Sequence, residues 1–190
     1  MTGVVVPPKT WREGPALDED ERWAIARRLL HDDGVEIVDR VAGAFVLLFA
    51  QKLITISTLT VDDVIVANGQ VSVRFGRDPV EVPDPLGELV LRLCADRSGR
   101  TVGSPSTNWL FRGNQPGQPM SPSWIGQRFR RLGLKVNSGR RAALMQLAAE
   151  LPARVLADML GIAPGTAVHW VRAAGGDWAN YAAERAKMAR

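Results

Sequence analysis

Val64-Ile65-Val66-Ala67-Asn68-Gly69-Gln70-Val71-Ser72-Val73-Arg74-Phe75 holds two β-branched runs on either side of an Asn-Gly pair. Branched side chains suit pleated backbone, and Asn-Gly supplies the two positive φ angles of a tight hairpin turn. Val80-Glu81-Val82 alternates in the same way before Pro83 and predicts a third strand. The flanks on both sides read as helix. Asp18 is an N-cap with Glu21 as its capping-box partner. Trp23, Ile25, Ala26, Leu29 and Leu30 then form an apolar stripe that should end near His31, before Asp32-Asp33-Gly34. A second helix runs from about Val35 to Gln51, and its second half is so apolar that it should be buried.

Downstream, Pro85 opens a helix from Leu86 to Ala95. Arg97 to Pro119 is rich in Ser, Gly, Pro and Asn, with Trp109-Leu110-Phe111 as the apolar piece that should anchor it. Further helices are predicted over Ser121–Leu132, Arg140–Glu150, Pro152–Leu160, Gly165–Ala174 and from Trp178 onward. The expected fold is mainly α with a small antiparallel β-sheet, an α+β class. Residues 1–17 read as an irregular arm and 18–190 as one domain. The expected core is Ile37, Val41, Phe45, Leu48, Leu53, Leu89, Leu93, Leu144, Leu147, Leu156 and Leu160.

Composition narrows the function classes. With 190 residues, 46% hydrophobic and 23% charged, the chain can bury a real core. Cys94 is the only cysteine, which excludes an internal disulfide. Together with only two histidines, His31 and His169, it argues against a zinc site, and no metal or cofactor is expected. The longest apolar run, Val41 to Ala50, is about half a membrane span, and Met1 to Pro8 lacks a signal-peptide pattern, so a cytoplasmic protein is expected.

The net charge of +4 is uneven: residues 1–100 balance at −4 and residues 101–190 at +8. A basic second half predicts a polyanionic partner, here double-stranded DNA. Arg128, Arg130, Arg131, Lys135, Arg140 and Arg141 lie within 14 positions without an acidic residue. Six phosphate contacts would give binding a log–log salt slope of about −5. Arg74, Arg77 and Arg172 are further candidate contacts.

The order of parts resembles the catalytic domain of the tyrosine recombinases, the phage-integrase-like proteins. Leu59-Thr60-Val61-Asp62-Asp63-Val64 is similar to that family's Leu-x-x-x-Asp-Val/Ile step into the sheet, and Leu160-Gly161 to its Leu-Gly-His step. Trp109-Leu110-Phe111 and Arg140-Arg141-Ala142-Ala143-Leu144 resemble the degenerate recombinase-like proteins common in actinobacteria. The resemblance covers about residues 18–185 and implies that the family's separate N-terminal core-DNA-binding domain is absent.

It also implies a chemistry. A tyrosine oxygen attacks a DNA phosphodiester and forms a 3′-phosphotyrosine, with no metal and no ATP. Two arginine forks hold the transition-state oxygens, a hairpin lysine protonates the leaving oxygen, and histidines assist. Carried over position by position, the first arginine falls on Lys52, or on Thr55 after a three-residue shift. The hairpin lysine has only Arg74 and Arg77 nearby. The His-x-x-Arg motif reads Asn137-Ser138-Gly139-Arg140, and the histidine of Leu-Gly-His is Ile162. Tyr181, the only tyrosine, takes the nucleophile's place after a longer stretch than usual. The candidate catalytic set is thus Tyr181, Arg140 and Lys52, and the implied protein binds DNA, with other recombinase subunits as allowed partners, but is impaired or inactive in cutting it.

Val155 to Val171 also fits a helix-turn-helix, the alternative reading of a transcriptional regulator over residues 155–172. Ala157 is the small crossing residue and Gly161 the turn. Thr166, His169, Trp170 and Arg172 would then face the major groove.

Overall fold

The structure is a computed structural model, described here for residues 16–96 and 108–175. Helix α1 (Glu19–His31) starts where the Asp18 carboxylate accepts from the amides of Asp20 and Glu21 at 3.0 and 3.3 Å. Helix α2 (Ile37–Phe49) is the central element, and every residue from Val41 to Leu47 is buried. Its predicted ends, Val35 and Gln51, are buried turn residues instead of helix.

Two further elements follow, concealed in the sequence by the β-branched residues of this stretch. Helix α3 (Leu53–Thr58) forms across Ile54, Thr55 and Ile56, and the hydroxyls of Ser57 and Thr58 donate back to the Ile54 carbonyl at 2.8 and 3.1 Å. A 3₁₀ turn (Val61–Asp63) is closed by Asp63, which accepts from both the amide and the hydroxyl of Thr60.

The sheet is a meander. Strands β1 (Val64–Ala67) and β2 (Gln70–Arg74) pair antiparallel, with Val64 opposite Val73 and Ala67 opposite Gln70. Asn68 (φ 52°) and Gly69 (φ 78°) make the turn, as their residue types require. Strand β3 (Pro79–Glu81) adds to β2 with Val73 opposite Val80. Alternation buries Val71, Val73 and Phe75 against α2 and α4 (Leu86–Asp96), and leaves Gln70 and Arg74 in solvent. Phe45 of α2 is the meeting point. Its ring packs edge-on against Phe75 (centroids 4.9 Å apart) and against Phe111 (6.3 Å). Leu110 and Phe111 are fully buried, which is how the polar loop around them is anchored.

Four more helices follow among the described residues: α5 (Pro122–Arg131, capped by Ser121), α6 (Val136–Glu150), α7 (Ala153–Leu160) and α8 (Pro164–Ala173), and the helix predicted from Trp178 onward lies outside them. Helix α6 begins four residues before the predicted Arg140, which puts Arg140 in its second turn. Ser138 and Gly139 read as breakers, yet Gly139 is buried at the crossing with α2, where a Cβ would collide with Leu47. Helices α6, α7 and α8 share a second apolar cluster of Leu144, Leu156, Leu160 and Val171, and Ala50 belongs to it. Most of the expected core is buried; Ile37, Leu48, Leu53 and Leu147 are only half-buried at its margin. Among the described residues no helix is long and apolar enough to cross a membrane.

The β2–β3 turn is clamped to the end of α7. The amide of Arg77 donates to the Asp158 carbonyl at 2.8 Å, and a Cβ on Gly76 would run into that carbonyl and lie 2.8 Å from the Gly161 Cα. Both obstacles are backbone, so Gly76→Ala is expected to destabilise the protein by about 1–3 kcal/mol. Gly165→Ala, where a Cβ meets nothing, should be neutral or mildly stabilising. Urea unfolding of the two variants against the parent checks this.

Candidate nucleic-acid interface

The candidate interface begins where α2 ends. Ala50 takes a left-handed conformation (φ 51°, ψ 28°), unusual for a residue with a Cβ. This turn sends Gln51 inward, where it is 2% exposed, and Lys52 outward into solvent at the start of α3. It also aims the Ala50 carbonyl at α6, where the Arg140 Nε donates to it at 2.7 Å. Lys52 and Arg140, 88 positions apart in sequence, therefore line one groove.

The groove encloses about 810 Å³. Among the described residues its charged lining is Lys52, Arg130, Lys135 and Arg140, with no carboxylate. Lys135, Val136, Asn137 and Ser138 bring the first turn of α6 into the wall. That end carries no acidic residue in its first turn and no side chain caps its opening amides, and the positive end of the helix dipole lies at the cavity wall. Leu53, Leu134 and Val136 supply apolar parts of the wall.

Arg140 is the unusual member. Burial pulls its guanidinium below the ordinary arginine pKa, and no carboxylate among the described residues pairs with it to offset that. A half-buried cation without a carboxylate partner among the described residues carries an uncompensated charge beside a cationic cavity, an arrangement that an anion would relieve.

The other sequence candidates are dispersed. Arg128 is held by two carboxylates of the α2 end of the fold. Its Nε donates to Asp39 at 2.5 Å, and its Nη2 donates to Asp39 at 2.8 Å and Glu36 at 2.7 Å. Asp39, the largest influence, and Glu36 hold its pKa above the ordinary value despite burial. Arg128 is thereby committed inside the protein and leaves the set of cations open to phosphate. Arg131 lies over the Trp124 ring at 5.8 Å, and Arg141 over Trp170 at 5.5 Å. Arg74 and Arg77 are exposed on the hairpin and do not line the groove, and Arg172 is exposed on α8. Thr55 is half-buried inside α3, and Ile162 packs against the second apolar cluster. Tyr181 lies outside the described residues. Among those described, no group of His, Cys, Asp and Glu could hold a metal ion.

The apolar wall residues Leu53, Leu134 and Val136 escape a reading of motifs, and no Ser, Thr, Asp or Asn N-cap marks the start of α6.

Neither a family model nor a curated protein matches the chain. Solved structures do. XerA recombinase superposes with a TM-score of 0.62 at 17% identity, over 83% of this chain and 60% of that one. XerH site-specific recombinase bound to difH substrate in a pre-cleavage complex gives 0.60 at 15%, over 87% and 53%. Its post-cleavage complex with palindromic difH substrate gives 0.54 at 15%, over 88% and 52%. The fold is that of a tyrosine-recombinase catalytic domain. The chain spans between about half and three-fifths of the length of these recombinases.

Within this recombinase fold, the Arg128 cluster fixes α5, and with it Arg130, against α2. Removing one partner of a largely buried ion pair strands the other. Arg128→Ala is expected to cost about 3–5 kcal/mol of folding stability, whereas Arg131→Ala, at an exposed site, should cost under about 0.5 kcal/mol. Equal losses in denaturant unfolding would show that Arg128 is a surface charge like its neighbour.

Proposed function

We propose that this chain binds duplex DNA by seating backbone phosphates in the groove between α3, α5 and α6, and that it holds DNA with little or no capacity to cut it. The observation that carries the reading is Arg140: half-buried, anchored to the Ala50 carbonyl, without a carboxylate partner among the described residues, beside Lys52, Arg130 and Lys135. Phosphate supplies the missing charge, and the opening amides of α6 supply further donors. DNA is favoured as the source of that phosphate because XerH, a structural neighbour, is seen with its difH substrate.

Weak chemistry follows from the residue types. Lysine at position 52 keeps charge where the family resemblance expects an arginine fork, and loses the planar two-point grip. Asn137 stands in the groove where the resemblance expects a histidine, and no other histidine lines it. Losing one oxyanion donor can cost roughly 10²–10³ in rate.

Fluorescence anisotropy of a labelled 30-bp duplex tests the binding. With four groove cations rather than the six of the sequence window, log affinity against log salt should fall with a slope of about −3 to −4. Lys52→Ala with Lys135→Ala should make that slope shallower by about 2. No binding at low salt would end the DNA reading.

A nicked suicide duplex tests the chemistry. The expected result is no covalent protein–DNA adduct, or a trace on overnight incubation that disappears in Tyr181→Phe. A rapid adduct that depends on Tyr181 would show a working recombinase.

A further inference from the structure

The α7–turn–α8 unit has no role in the groove. Helix α7 has eight residues, the turn is Gly161-Ile162-Ala163, and α8 has ten. Gly161 is left-handed (φ 64°), and Leu156, Ala157, Leu160, Ala167 and Val171 are buried where the two helices cross. These lengths, the small crossing residue and the left-handed glycine are those of a groove-reading helix-turn-helix.

The structure adds what the sequence could not give, which is the direction each side of α8 faces. Ala167 and Val171 face inward. Pro164, Val168 and Arg172, spaced four apart, form one exposed line along α8, and Val168 is 39% exposed. At the front of α8, Gly165 has open space around it, so a duplex can come close to the backbone. No acidic residue lies between Met159 and Gly175. An exposed valine ahead of an arginine suits a major groove, where a thymine methyl and a guanine or phosphate take those two chemistries.

The position of α8 is equally telling. Arg140 and Arg141 are consecutive on α6, about 100° apart around its axis. One lines the groove and the other lies over Trp170 of α8. The groove and α8 therefore lie against neighbouring faces of α6.

We propose that α8 is a second DNA contact, which lays Pro164, Val168 and Arg172 along the major groove and gives sequence preference, while the cationic groove gives affinity. This rests on the duplex-DNA reading above.

The test uses the full chain on a randomised 30-bp duplex pool. Selection should recover a preferred sequence bound at least tenfold more tightly than its scramble. Val168→Ser with Arg172→Ala should cut that ratio at least fivefold. Lys52→Ala with Lys135→Ala should weaken both duplexes alike and keep the ratio. Gly165→Glu guards against a folding artefact. It adds an acid at a helix start, in open space, so the melting temperature should hold or rise while binding to the preferred duplex falls at least tenfold. If selection gives no preference, if the ratio survives the α8 changes, or if Gly165→Glu leaves binding unaltered, α8 is not at the DNA and the groove reading stands alone. If no duplex binds at low salt, both readings fail.

Discussion

Helix α2 ends inside the protein, and its last carbonyls are cut off from water. An α-helix leaves its final four carbonyls without intrahelical donors, and each one buried unpaired costs about 1–3 kcal/mol. Here the turn residue Gln51 supplies two donors and distant arginines supply two more. Arg22 of α1 donates to Leu47 at 2.9 Å, the Gln51 side chain to Phe49 at 3.0 Å, the Gln51 amide to Phe45 at 3.0 Å, and Arg140 of α6 to Ala50 at 2.7 Å. Two of the donors are cations, at the negative end of the α2 dipole. One buried helix end thus ties α1 and α6 to α2 and holds Arg140 at the groove. Arg140 serves the fold through Nε, and its remaining guanidinium nitrogens are left to serve a ligand.

The contrast with Arg128 shows why positive charge alone does not mark a phosphate contact. Both arginines are partly buried and both touch the α2 region. Arg128 meets Asp39 and Glu36, which raise its pKa and satisfy its charge within the chain. Arg140 meets a carbonyl, which satisfies a hydrogen bond and leaves the charge unanswered. Arg40 is a third case: it is 4% exposed and donates to the carbonyls of Leu29 and Leu30 and to Asp33, closing the end of α1. Of the three, Arg140 alone has no carboxylate partner among the described residues.

Much of the fold was legible in the chain because local rules decide it. The Asn68-Gly69 turn, the Asp18 cap, the apolar second half of α2 and the Leu110-Phe111 anchor each follow from a few adjacent residues. What escaped depends on contacts far apart in sequence. Arg22 sits on the predicted α1 stripe as a charge, yet is 2% exposed because Leu47 and Gln146 accept from it. The start of α6 was hidden because Gly139 reads as a breaker until Leu47 is seen beside it. The groove had no local signature, since residues 52, 130, 135 and 140 come from three elements. The basic window from Arg128 to Arg141 read as one patch. Successive helix positions turn by about 100°, so Arg128, Arg130 and Arg131 leave α5 in three directions. Only Arg130 of those three reaches the groove.

The residue types in the groove separate holding a phosphate from transforming it. Affinity for a DNA backbone grows with the number of cations that displace counter-ions, and a lysine counts there as fully as an arginine. Catalysis demands more, because only contacts that strengthen as the phosphorus centre gains charge accelerate the step. A planar fork can tighten on two developing oxygens at once, whereas a lysine offers a mobile point charge that serves ground and transition states about equally. Uniform binding of that kind does not lower the barrier from the bound state. On the proposed function, Lys52 beside Arg140 would favour retention of DNA over turnover. The anchoring of Arg140 works the same way: fixing the guanidinium through Nε pre-organises it for a phosphate at the groove mouth, and that geometry is useful to a binding protein whether or not a nucleophile ever arrives.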